Sequence, residues 1–462
     1  MMSQAFSQMM VSFLLVVVSR LAYLAYFSPL SNIPNAHFTS PFTRAWLIYQ
    51  KFKGCENRTR LSAHEKLGPV VRLGPNEISI NHMDYVCELF NDKSFTKTAW
   101  YPNGFRGWKS PILASLTDPE LHSRRRQLMA TRYTNISLQK SAQLHMIFEN
   151  RVSGVFREEL QIWASTVATI DIFQKSKACL MDIITAWLYG IDHGTNFIRD
   201  VDEERTWSTD LNGTFEGFVS RSEFYWFISA LERSRLFIFP WMIRTENSQR
   251  RLQDWSLKKC KHVQESSGDD IDNSLCSQFR QGLEKTEPAG KVESLLMDEM
   301  LDHCITGQLP TGIIVSYAVW ELAQKPEWRE RLHNELAHAS DASNANSNLS
   351  PAAVDKLPIL NAVVMETLRV YSSNPGPWPR FNPTNATRIG QYSIPAGTTI
   401  SASSYCLHRN ENVFPQPNEW RPERWLKADD RQRSAMNRWF WAFGSGPFMC
   451  LGSHFAILGM SF

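Results

Sequence analysis

The sequence predicts a mainly α protein of the α+β class, a helical domain with small β-sheets behind a single N-terminal transmembrane helix. Three observations lead there. Residues 9–27 (MMVSFLLVVVSRLAYLAYF) are almost continuously apolar. Between 140 and 340 apolar residues recur at helical spacing, most plainly at 143–163, 178–190 and 295–324. Short β-branched runs bounded by turn residues stand at two places, 68–80 and 387–407. No internal repeat is visible, and this order of elements suits one large domain.

Taken in order, the N-terminal run approaches the roughly 20 residues a helix needs to span a bilayer. Arg20 falls near its C-terminal end, where a long side chain reaches the interface. No basic residue precedes the run and no A-x-A-like site follows it, which argues against a cleaved signal peptide. Arg44, Lys51, Lys53, Arg58 and Arg60 all follow it, so the positive-inside rule places the rest of the chain in the cytosol. Ser28-Pro29-Leu30 and Ile33-Pro34-Asn35 read as a stiff hinge. The expected division is an anchor over 1–28 and a single domain over 29–462.

Gly68–Leu73 and Glu77–Ile80, with Gly74-Pro75-Asn76 between them, predict a hairpin. The aromatic, turn-rich stretch 100–117 suits a loop over a pocket, and 340–350 (SDASNANSNLS) a surface loop. Extended structure returns at 387–407, with Ile394-Pro395-Ala396-Gly397-Thr398 as strand, turn and strand.

Composition narrows the function classes. Lys plus Arg is 49 against 46 Asp plus Glu, a net charge of +3, which disfavours a protein that binds nucleic acid through bulk charge. With 43% hydrophobic and 21% charged residues the chain is globular. The cysteines at 55, 87, 179, 260, 276, 304, 406 and 450 form no C-x-x-C pair, so neither a zinc ribbon nor a disulfide scaffold is indicated.

One cysteine stands apart. Phe443-Gly444-Ser445-Gly446-Pro447-Phe448-Met449-Cys450-Leu451-Gly452 is an irregular loop running into an apolar helical pattern. Its glycines allow close backbone approach to a flat or bulky group. A helix N-terminus favours thiolate, and a lone thiolate suits haem iron better than zinc or an iron–sulfur cluster. By itself Cys450 also reads as a buried structural thiol.

This loop resembles the haem-ligand loop of the cytochromes P-450, F-x-x-G-x-R-x-C-x-G, through Phe443, Gly446, Cys450 and Gly452. Upstream, Glu366-Thr367-Leu368-Arg369 is similar to the family's E-x-x-R and Pro422-Glu423-Arg424 to its P-E-R segment. The resemblance implies the cytochrome P-450 fold and haem b, with Cys450 as axial thiolate. It implies a buried network of Glu366, Arg369 and Arg424 beneath the haem loop. Arg126, with His122 where the family often has Trp, and Arg380 are the implied propionate partners. The implied activity is a haem-dependent monooxygenase that oxidises an apolar small molecule with O2. Electrons would come from NADPH through NADPH-cytochrome P-450 reductase. The N-terminal wording (IPNAHFTSP, LGPVVRLGPNEISIN) resembles fungal secondary-metabolite members. The implied setting is the endoplasmic reticulum membrane, with a single pass and a cytosolic catalytic domain over 29–462.

Three departures qualify the match. Phe448 stands where the loop arginine is expected, removing one charge-assisted propionate partner. Thr306-Gly307-Gln308-Leu309-Pro310-Thr311 aligns with [AG]-G-x-[DE]-T, so Leu309 and Pro310 replace the acid–alcohol pair that relays protons. Pro310 predicts a kinked or opened helix, and Thr311 or ordered water becomes the candidate relay. Finally, Phe462 lies early in the cysteine helix, where the family typically continues, so the chain is expected to be C-terminally short. The alternatives are a non-oxidative haem isomerase or dehydratase of the same fold, or an inactive truncated paralogue.

Overall fold

The computed structural model describes residues 2–234, 239–266, 268–342 and 349–462. Most of the expected 340–350 loop therefore lies outside the described residues. The chain packs as two compact units, each assembled from separated segments. One comprises Met1–Trp100, Pro375–Pro415 and Arg438–Phe448; the other comprises Tyr101–Asn374, Gln416–Asn437 and Met449–Phe462.

The first unit begins with the apolar helix Met2–Ala22, continued by a wider π-turn at Tyr23–Phe27. Phe6–Phe27, 22 residues, is the one helical stretch among the described residues long and apolar enough to cross a membrane, and none of its hydrophobic window is buried. The segment expected as a hinge is packed instead: Ser28, Leu30 and Ile33 are buried. Arg72, itself buried, explains why. Its guanidinium donates to the carbonyls of Leu24 at 3.1 Å and Pro75 at 2.9 Å. Its backbone brackets the Pro34–Ala36 carbonyl and amide.

Strands β1 (Val70–Gly74) and β2 (Glu77–Ile80) form the expected antiparallel hairpin. Five further strands follow: β3 (Thr96–Lys97), β4 (Arg380–Phe381), β5 (Thr387–Ile389), β6 (Tyr392–Ile394) and β7 (Thr399–Ser401). The larger sheet runs β1-β2-β7-β4-β3, with β7 parallel to β2, so the two extended regions of the sequence build one mixed sheet. The strands on either side of the 395–398 turn are not partners: β6 pairs with β5 in a separate hairpin. The extended reading of 387–407 also fails at its end, because Ser404–Leu407 is a helical turn. Burial decides the arrangement: Ile78, Ile80, Ile400, Phe90 and Trp441 share one apolar core.

The second unit is helical. Ala142–Phe148, the π-helical Glu149–Phe156 and Arg157–Ser165 fill the first periodic stretch, and Ile172–Tyr189 the second. Asp171 starts the latter by accepting the amides of Phe173 and Gln174. Stretch 100–117 holds one short helix, Trp100–Gly104, and is otherwise irregular. A 36-residue helix, Ala289–Gln324, packs on Ile172–Tyr189, Pro240–Glu265 and Pro358–Tyr371. It runs on through Pro310 as one element, without the expected opening. One lost ladder bond is small beside the packing on both sides of it. At Gly307 an added Cβ would sit 2.9 Å from Ile184, and at Gly312 2.9 Å from Lys177, so both glycines let the helices approach closely.

Candidate functional site

Cys450 follows the irregular loop and precedes the helix Ser453–Ser461, whose N-cap is Gly452. Of the eight free cysteines it alone is exposed. Its surroundings are nevertheless protein, and burial pushes the thiol up; the Gly452 amide and the Arg126 charge oppose this, and Asp302 adds to it. The start of the helix thus does not offset the effect of burial on this thiol. A bound cation would supply the missing stabilisation of the anion. Among the described residues no group of three or more His, Cys, Asp or Glu is placed to hold a metal. One accessible sulfur without companion ligands fits haem, which brings its own four nitrogens, and does not fit zinc or an iron–sulfur cluster.

Arg126 is brought to the cysteine. It lies on the helix Pro119–Ala130, started by Asp118, and its Nη1 donates to the Met449 carbonyl at 2.7 Å. His122, one turn earlier, is buried on the same helix. Behind them is a polar cluster that the sequence did not signal. Tyr133 and His303 share a hydrogen bond of 2.6 Å, and Glu299 stands 3.9 Å from His303 and 3.7 Å from Arg125. Burial holds His303 neutral, lowered to about 4.

The three residues of the expected network do meet. Glu366 Oε1 accepts from Arg369 Nη2 at 2.8 Å, from Arg424 Nε at 2.9 Å and from the Arg421 amide at 2.9 Å. Its Oε2 accepts from Arg369 Nε and from the Trp425 indole, each at 2.9 Å. Arg369 also donates to the carbonyls of Pro417 and Glu419. Glu366 and Arg369 are fully buried. Burial alone would raise the Glu366 carboxyl, but Arg369, Arg424 and the Arg421 amide hold it below the usual carboxylate range. Trp425 directly follows the Pro422-Glu423-Arg424 segment, and only the fold shows its indole in the network.

In the first unit, Gly446 has a left-handed backbone (φ +70°), and any Cβ there would strike the Phe90 carbonyl oxygen. Trp441 steadies the loop: its amide donates to His408 Nε2 at 2.8 Å and its indole to Ser445 Oγ at 3.0 Å. Phe443 is half-buried. The Phe448 ring lies under two cations, Arg380 at 4.8 Å and Lys97 at 5.1 Å from its centroid. Arg380 was expected as a propionate partner; Lys97 was assigned no role.

The long helix presents two candidate hydroxyls on different faces. Thr311 is buried, one residue from Gly312 on the side facing Ile172–Tyr189. Thr306 is exposed and donates to the Asp302 carbonyl at 2.7 Å. At about 100° per residue, Thr306 lies about 40° from Asp302 around the helix and about 140° from Thr311. Asp302 is the residue of this helix whose charge is felt at Cys450.

Comparison with known proteins agrees with this arrangement. The sequence model of the family described as cytochrome P-450 matches residues 40–462. The chain is 27% identical over 416 residues to the cytochrome P-450 monooxygenase avaI of Aspergillus versicolor, covering 86% of this chain and 93% of that protein. It is 24% identical to the cytochrome P-450 monooxygenase cypX of Dothistroma septosporum, over 97% of this chain and 86% of that one. To the tryprostatin B 6-hydroxylase of Neosartorya fischeri it is 25% identical, over 98% of this chain and 78% of that one. A family match across nearly the whole chain, an accessible thiol at a helix start and the buried carboxylate–guanidinium network converge: this chain belongs to the cytochrome P-450 family.

Proposed function

We propose that this haem-dependent monooxygenase is anchored by residues 1–28 in the endoplasmic reticulum membrane, with residues 29–462 as a cytosolic catalytic domain. It would take electrons from NADPH through NADPH-cytochrome P-450 reductase and oxidise an apolar small molecule in fungal secondary metabolism. Haem b, the family's cofactor, supplies activation of O2 at its iron. The observation that carries the reading is Cys450, the one exposed cysteine, standing at the start of the Ser453–Ser461 helix. Cys450 is the proposed iron ligand. Arg126 orients the backbone beside it through Met449, and Arg126, His122 and Arg380 are the proposed propionate side. Phe443, Gly446 and Gly452 shape the loop. Glu366, Arg369 and Arg424 hold the segment 417–425 to the Pro358–Tyr371 helix. The apolar helix Phe6–Phe27 and the flanking positive charge support the anchor and its orientation.

Proton delivery falls to a hydroxyl of the long helix. Thr311 is the candidate by sequence position, while Thr306 is favoured by its place on the Asp302 side. The relatives named above are monooxygenases and a hydroxylase, which supports oxidation over isomerisation or dehydration. The decisive experiment is a reduced carbon-monoxide difference spectrum of the full chain, followed by NADPH and O2 consumption with purified reductase. A Soret band at the thiolate position that vanishes in Cys450→Ala is expected; its absence in the wild-type chain overturns the reading.

A further inference from the structure

We propose that the molecule oxidised is an apolar one that already carries a hydroxyl group, and that Thr214 and Gln253 hold this hydroxyl, an inference that rests on the monooxygenase reading above. A small cavity lies within the second unit, walled on its apolar side by Trp108, Leu252, Leu301 and Ile305. Thr214, Gln249 and Gln253 are its polar lining. Its free space is about 10 Å³, room for one hydroxyl-sized group and not for a whole substrate. Leu301 and Ile305 bracket Asp302 along the long helix, the residue whose charge is felt at Cys450. At about 100° per residue they lie about 100° and 60° to the same side of Asp302, so the cavity borders the helix face that approaches the cysteine.

Thr214 carries the signal. It lies on the helix Val201–Phe215 and is 3% exposed, yet its Oγ1 has no hydrogen-bond partner among the described residues. Thr206 and Thr209 on the same helix each donate to the carbonyl four residues back, the usual use of such a hydroxyl. Buried polar groups are ordinarily paired, so an unpaired one in a cavity wall calls for an occupant. Gln253 fixes the chemistry of that occupant. Its Nε2 donates to Asp298 Oδ1 at 2.9 Å, and the Ser110 amide donates to Oδ2 at 2.6 Å. Burial pushes Asp298 up to about 6 against those donors, so near pH 7 it is mostly ionised and only accepts. Gln253 therefore keeps its amino end on Asp298 and offers Oε1, an acceptor. Gln249, one turn earlier, is turned alike by donating to the Arg106 carbonyl at 3.1 Å. The occupant must donate to an amide oxygen and pair with the threonine hydroxyl. A hydroxyl does both; a ketone or an ether only accepts, and a hydrocarbon does neither.

The test titrates the full-length holoprotein with 4-phenylphenol, 4-methoxybiphenyl and biphenyl, and reads dissociation constants from the shift of the Soret band. Thr214→Val, Thr214→Ser and Gln253→Leu are titrated in the same way. The wild type should bind the phenol at least about ten-fold more tightly than its methyl ether, the effect of one hydrogen bond to partners otherwise unmet. Thr214→Val should bring that ratio near one by weakening the phenol alone, and Thr214→Ser should restore it. Gln253→Leu should lower the ratio; where it does not yield folded protein, the two Thr214 variants decide. Equal binding of phenol and ether by the wild type, the result of a cavity that holds water only, overturns the proposal. A preference for the phenol that survives in Thr214→Val or in folded Gln253→Leu overturns it as well. A wild-type chain that takes up no haem overturns the monooxygenase reading instead. The hydroxyl seat is then read from the thermal unfolding midpoint of the full chain, which the phenol should raise and the ether should leave unmoved; equal midpoints overturn the proposal too.

Discussion

The Nε of Arg424 donates to Oε1 of Glu366 at 2.9 Å, joining positions 58 apart in the chain. Glu366 receives four further donors, so it is the centre of the network and its removal leaves the buried Arg369 and half-buried Arg424 guanidinium groups without their carboxylate. Breaking such a buried pair from one side costs about 3–5 kcal/mol. Glu366→Ala should therefore unfold at markedly lower urea and lose the carbon-monoxide band at the thiolate position. Arg424→Lys keeps the charge and loses the planar fork, and should fall between wild type and Glu366→Ala.

Gly446→Ala tests the loop. The left-handed backbone costs about 1–2 kcal/mol for any residue with a Cβ, and the Phe90 carbonyl occupies the space that Cβ needs. We expect a lower midpoint of thermal unfolding and reduced haem content at equal expression. Gly444→Ala serves as control, since it shares the positive φ but has nothing within 4 Å of a Cβ.

For the relay, Thr306→Ala and Thr311→Val are compared by product formed per NADPH consumed. Thr306→Ala should lower that ratio and divert electrons to peroxide. Thr311→Val, nearly isosteric in a buried position, should leave the ratio unchanged. The reverse result assigns the relay to Thr311.

Acid stability follows from two histidines. Burial, helped by Arg60 and opposed by the Gly68 carbonyl, lowers His64 to about 4; burial likewise lowers His303 to about 4. Both folded values lie below the ordinary histidine value of 6.5, so the unfolded chain binds more protons between about 4 and 6.5. The stabilisation is complete above 6.5 and is lost as pH falls toward 4. Each histidine contributes a slope of up to about 1.4 kcal/mol per pH unit in that window. Glu366, held below its usual range, adds its own loss only at lower pH, as it protonates. Urea midpoints at pH 7 and pH 5 should differ, and His64→Gln should shrink the difference.

The legible parts of the site were short and locally encoded. E-x-x-R places Glu366 and Arg369 on one helix face whatever the rest of the chain does, and the glycine-rich approach to Cys450 needs only its own backbone. Arg126 was found through its neighbours in the text. Lys97, His408, Trp441 and Trp425 were not assigned roles, because their partners lie elsewhere in the chain. His408 shows the limit well: its bond to the Trp441 amide depends on two distant segments meeting.

The apolar N-terminal helix, the helical body, the β1–β2 hairpin, the thiol at the head of a helix and the carboxylate–guanidinium motif are all written locally in the chain. Each rests on periodicity, turn chemistry or fixed spacing over a few residues. Folding settled that β2 and β7 pair in parallel, that the proline hinge is packed onto Arg72, and that the helix continues through Pro310. It also decided the upward shift of the Cys450 thiol, the faces of Thr306 and Thr311, and the cations over Phe448. These are set by burial and by charges brought close from distant positions, quantities that exist only once the chain has folded.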